Sequence, residues 1–135
     1  MANNPIFSRI AKAAWINGVT AANIAKDGTG TVDTIFTADA TLGSYLQKLI
    51  IRPRGTNAAS VLRVFLNNGL TNVTAANNVL IGEVGLPATA ISEVAALAGL
   101  ELPLNIPIPP GYKINVTLGT AVAGGYAVTA LGGDY

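Results

Sequence analysis

The chain has no cysteine and no histidine. The first absence excludes disulfides, thiolate nucleophiles and cysteine-ligated metals. The second removes the commonest general base and the commonest metal ligand. Charge is also scarce. Charged residues make up 11% of the chain and the net charge is +1, against roughly 25% charged residues in an average soluble domain. A field this weak neither steers nucleic acid nor holds an anionic membrane, so no partner of either kind is expected. Aromatic residues are 6% of the chain, with a single tryptophan. No stretch approaches the roughly 18 apolar residues of a membrane span. Arg9 and Lys12 interrupt the apolar character of MANNPIFSRIAKAAWINGV, which predicts no export through a cleaved signal.

What is present is a chain of 135 residues, half of them hydrophobic, enough for one domain with a real core. Short β-branched runs alternate with Gly, Pro, Asn and Asp, which predicts an all-β chain. Eight strands are expected, over residues 13–19, 31–37, 45–54, 60–67, 79–86, 102–108, 113–118 and 125–131. The prolines of 102–108 place that strand at an edge. ISEVAALAGLE, 91–101, is the one helical candidate, with Ile91, Val94, Ala95 and Leu97 able to share a face, and is short enough to form a single turn or a loop instead. The fold expected is a single-domain, two-sheet antiparallel sandwich over residues 13–135, jelly-roll-like first and immunoglobulin-like second, preceded by an N-terminal arm, 1–12.

The densest positive charge falls in KLIIRPRGTNAASVLRVFLNNG, 48–69. If GTNA closes a hairpin, Arg54 lies opposite Ala59, Arg52 opposite Val61, Ile50 opposite Arg63 and Lys48 opposite Phe65. Leu49, Ile51, Leu62 and Val64 then form the core side, and Lys48, Arg52, Arg54, Arg63 and Phe65 form an outward face. Two readings of that face stay open: a solvated surface with cationic stems lying over apolar neighbours, or a protein-contact face, since arginine beside an aromatic is typical of interface centres. On the second reading, charge reversal at Arg52 or Arg63 leaves the fold intact and weakens assembly.

No other pattern carries chemistry. Asp27, Asp33 and Asp39 lie six apart in KDGTGTVDTIFTAD but lack the calcium-loop spacing and read as turn formers. GTG is not a dinucleotide fingerprint. The seven carboxylates lack the aromatic platforms of a glycosidase cleft. None of Ser8, Ser44, Ser60 and Ser92 sits in GxSxG. No catalytic residue, cofactor or metal ligand is therefore assigned, and no enzyme activity is expected. Asn72-Val73-Thr74 and Asn115-Val116-Thr117 match the glycosylation sequon but read as turn and strand residues. IPIPPGYKINV, 106–116, reads as a proline-braced corner.

Two segments, GTVDTIFTADATLGSYLQKLIIRPRGTNAASVLRVFLNNG (30–69) and PPGYKINVTLGTAVAGGYAVTALGGDY (109–135), resemble small β-sandwich virion proteins that decorate or cement the heads of tailed bacteriophages. The resemblance implies a jelly-roll subunit on the capsid surface, made in the host cytoplasm, commonly a homotrimer, bridging copies of the major capsid protein. It implies no chemistry and transfers no site residue. A host-recognition module on a fibre or baseplate, binding glycans through loops 68–78 and 119–125, is the alternative.

Overall fold

The computed structural model describes residues 8–135. Turn residues punctuate the chain into eight strands: β1 (Ile10–Val19), β2 (Asp33–Thr37), β3 (Ser44–Pro53), β4 (Ser60–Asn67), β5 (Asn78–Leu86), β6 (Leu100–Ile108), β7 (Lys113–Leu118) and β8 (Tyr126–Asp134). A 3-10 turn, Ala75–Asn77, precedes β5. Of the arm expected over 1–12, residues 1–7 lie outside the described part, and Ile10, Ala11 and Lys12 already belong to β1.

Of the readings open for 91–101, the loop holds and the helix does not form. Leu100 and Glu101 open β6 and pair with Ile51 and Ile50 of β3. The rest is an irregular loop, tied down where Thr89 and Asn57 exchange backbone hydrogen bonds and where the Ile91 N–H donates to Thr56 Oγ1. A helix here would need something to pack on, because short helices draw their stability from a buried face. Ile91 and Val94 instead face solvent.

The strands form two antiparallel four-stranded sheets, ordered β1-β8-β3-β6 and β2-β7-β4-β5. Strand pairs nest from the middle of the chain outward: β4 with β5, β3 with β6, β2 with β7, β1 with β8. A long ribbon wrapped on itself in this way is a jelly roll, and the two sheets face each other across one core. The proline-bearing β6 is an edge strand, as its composition requires.

Leu46, Leu49 and Ile51 of β3 and Val128 and Ala130 of β8 meet Leu62 and Val64 of β4 and Ile114, Val116 and Leu118 of β7, all of them fully buried in one cluster. Burying each large aliphatic side chain contributes about 1.5–3 kcal/mol. One end of the sandwich is pinned by a polar knot. The Lys12 ammonium lies 4.7 Å from the Phe36 ring centroid and pairs with Asp134 Oδ1 at 3.2 Å. The buried Ser44 hydroxyl donates to the same carboxylate oxygen and accepts from the Asp39 N–H at 2.9 Å. The corner read in IPIPPGYKINV is a turn, closed by Tyr112 N–H donating to the Pro109 carbonyl at 3.2 Å.

Candidate protein-contact surface

β3 and β4 are not a hairpin. They lie in different sheets, so the register of Arg54 on Ala59 and of Lys48 on Phe65 does not exist. The connection between them is held by other loops. Asn57 is buried, its Nδ2 donates to the carbonyls of Gly55 and Gly125 at 3.3 and 3.2 Å, and its Oδ1 accepts from the Gly125 N–H at 2.8 Å. Two apolar alternations satisfy a core equally well side by side in one sheet or face to face across a sandwich. Leu49, Ile51, Leu62 and Val64 are indeed the core side of their strands, but they meet across the interior.

The five residues of the expected face therefore separate. Lys48 and Arg52 lie on the outer face of the β1-β8-β3-β6 sheet, where Lys48 pairs with Glu101 at 3.3 Å. Arg54 follows β3 and donates to the Asn17 carbonyl near the end of β1. Arg63 lies on the opposite side of the molecule, on the outer face of the β2-β7-β4-β5 sheet, bonded at 2.8 Å to Glu83 directly across from it. Phe65 does not point into solvent at all: it is fully buried, outside the inter-sheet cluster.

Residues 20–32 explain the burial of Phe65. The segment leaves β1, and Ala22 bridges to Leu118 along β7. It then crosses the sheet to β5, where Asn78 Nδ2 donates to the Asp27 carbonyl at 3.1 Å, and returns so that Asp33 pairs with Val116. This flap passes over the outer face of β7 and β4, which carries Phe65, Asn115 and Thr117, all buried. Carboxamides hold it in place. Asn72 Nδ2 donates to the carbonyls of Gly28 and Gly30 at 3.1 and 2.8 Å, and Asn23 Nδ2 to those of Thr29 and Thr31 at 2.9 and 2.7 Å. Carbonyls that a calcium loop would aim at a cation thus accept from asparagine. Asp27 accepts from the Thr29 hydroxyl at 2.6 Å and its N–H at 3.1 Å, which lowers its pKa. The Leu42 and Thr41 N–H groups do the same for Asp39. All three aspartates sit at turns or strand starts, and among the described residues no three carboxylates gather at metal-binding distance.

The sequons are structural too. Asn72 is committed to the flap, and the buried Asn115 accepts from the Thr34 hydroxyl at 2.6 Å. The two loops considered for glycans do not converge. Residues 68–78 pack by the turn before β7, with Gly69 against Gly111, whereas 119–125 follow β7 and lie beside Gly55. The length of β7 separates them. A cavity of about 220 Å³ between the 87–98 loop and the ends of β3 and β8 is lined by Pro53, Pro87, Ala90, Leu97, Leu100 and Tyr126. It carries no charged group and falls below the roughly 300–1,000 Å³ of a small-molecule site. Burial raises the pKa of Tyr126, with the neighbouring Asn57 side chain acting the other way.

Among the described residues, the other sheet has no such cover. Across its outer face run the rows Trp15–Thr129–Ile50–Glu101 and Ala13–Leu131–Lys48–Pro103. Arg52 continues the face, and its guanidinium lies by Gly99. Trp15, the only tryptophan, is 63% exposed. Sequence alternation missed this grouping because Trp15 and Ile50 are distant in the chain and are brought together by β8, which pairs with both their strands. No known protein-family model matches the chain, and no curated protein matches it in sequence.

Proposed function

We propose that this chain is a structural virion protein, a decoration or cement subunit that stabilises a phage head by bridging major capsid proteins. The observation that carries the reading is the contrast between the two outer faces. One sheet is roofed by the chain's own flap, while the other, with no such cover among the described residues, presents the exposed Trp15 and Arg52 beside the half-buried Ile50 and Leu131. Tryptophan and arginine over aliphatic residues make a typical interface centre. Low charge leaves little to oppose docking on other protein. The resemblance of residues 30–69 and 109–135 to head-decoration proteins supplies the partner.

In this role the subunit acts by buried surface rather than by chemistry, without cofactor or metal, and ends on the capsid exterior after synthesis in the host cytoplasm. Quantitative mass spectrometry of purified heads tests it. The chain is expected in many copies per particle, in a fixed ratio to the major capsid protein. Its absence from assembled heads overturns the role.

A further inference from the structure

Each sheet has two edge strands, and three of the four edges are blocked. β6 carries Pro103 and Pro107, and Asn105 between them has a positive φ of 51°. β2 is five residues long and bulged between Thr34 and Phe36, and the chain around Ala22 takes the adjacent place beside β7. β5 is bulged against β4, and the flap meets its first residue, Asn78. Prolines, bulges and shortness are the usual protections of an edge.

β1 has none of these over residues 10–16, which pair with Asp134 to Val128 without a register shift. Its one charge, Lys12, is no guard either, because the ammonium turns inward to Asp134 and the Thr37 carbonyl. Two apolar side chains, Ile10 at 55% and Trp15 at 63% exposed, stand on this strand.

We propose that β1 pairs antiparallel with β1 of a second copy, about a twofold axis through Ala13. The regular stretch 10–16 is centred on Ala13, and the side chains select this register. Continuing each sheet face into its neighbour's requires odd residues to meet odd and even to meet even. Centring on Lys12 sets two ammonium groups opposite each other, which is unfavourable. Centring on Ala14 sets Ile10 against Gly18. Centring on Ala13 sets Ile10 against Ile16 of the second copy, Trp15 against Ala11, Lys12 against Ala14 and Arg9 against Asn17. Ile10, Ile16 and Trp15 then each meet an apolar residue, Arg9 meets a neutral one, and no like charges meet. The product is a continuous eight-stranded sheet, with both Trp15 side chains on one face.

This assembly is twofold, where the resemblance to decoration proteins implies threefold, and it does not depend on the virion role. The test uses the purified full chain, which contains no cysteine. Directly opposed residues of an antiparallel pair have Cα atoms about 4.5–5.5 Å apart, within disulfide range. Ala13→Cys is therefore expected to form a covalent dimer under mild oxidation at least about tenfold faster than Thr41→Cys, an exposed site off the strand, because pre-paired thiols share a high effective concentration. Light scattering of the unmodified chain is expected to give a dimer, and Ala13→Lys, with an unchanged far-UV spectrum, a monomer. A monomeric or trimeric unmodified chain, or equal cross-linking rates at positions 13 and 41, overturns the pairing.

Discussion

Gly28 and Asn78 approach so closely that a Cβ on Gly28 would stand 2.6 Å from the Asn78 Cβ. This contact seats the tip of the 20–32 flap on β5, and so roofs Phe65. Gly28 also has a φ of +78°, a conformation a side chain rarely adopts. Gly28→Ala combines strain with a clash and is expected to cost about 1–3 kcal/mol. Chemical denaturation measures it, and hydrogen exchange should show the 20–32 segment losing protection before the core.

Asn57 joins three loops where a hairpin turn was expected. Asn57→Ala leaves the Gly125 N–H without its acceptor in a buried site, while the Gly55 and Gly125 carbonyls keep the Thr89 hydroxyl and the Arg54 N–H as donors. Each unsatisfied buried group costs about 1–3 kcal/mol. The variant is expected to lose about 1–3 kcal/mol, read from the denaturation midpoint, while Asn68→Ala, at a half-buried turn, loses less than about 1 kcal/mol.

Asp33 starts β2 opposite Val116, and burial raises its pKa above the ordinary 3.8. A raised folded-state pKa means that the protonated form is favoured in the fold. The stability it brings is complete below 3.8 and is lost as pH rises through the folded value. At pH 7 the carboxylate is therefore a liability, and Asp33→Asn is expected to raise Tm there, with the gain shrinking toward zero near pH 3. Thermal melts of both proteins across that range check it. A gain that persists unchanged into acid would assign the effect to packing instead of charge.

Arg52 and Arg63, on the outer faces of different sheets, are expected to behave differently. Arg63→Glu sets a carboxylate at position 63 directly opposite that of Glu83 and costs about 1 kcal/mol of stability. Arg52 stands opposite Ala127 instead of a carboxylate, and Arg52→Glu is expected to change stability by less than about 0.5 kcal/mol. Under the proposed role, only Arg52→Glu weakens attachment to heads at matched stability. A pull-down of each variant with purified particles, beside its melt, separates the two.

The fold was largely legible in the sequence. β-Branched runs and their Gly, Pro and Asn punctuation located all eight strands, as in Ser60–Asn67, and the prolines of Leu100–Ile108 located an edge. What alternation cannot convey is which strand a face meets. Leu49 and Leu62 are core residues under either topology, so the hairpin and the sandwich crossing predict the same burial for both. Phe65 was misplaced for a related reason. Its strand position faces outward, and only the long-range return of residues 20–32 covers it. Trp15 was visible as the lone tryptophan, but nothing local joined it to Ile50 and Arg52.

A cryo-electron density map of the native particle tests the central claim most directly. In the proposed role this chain lies on the outside of the head, with the β1-β8-β3-β6 face and Trp15 against the major capsid protein and the 20–32 flap turned to solvent. A head surface without the chain, or one in which the flap faces the capsid and Trp15 stays bare, would contradict it.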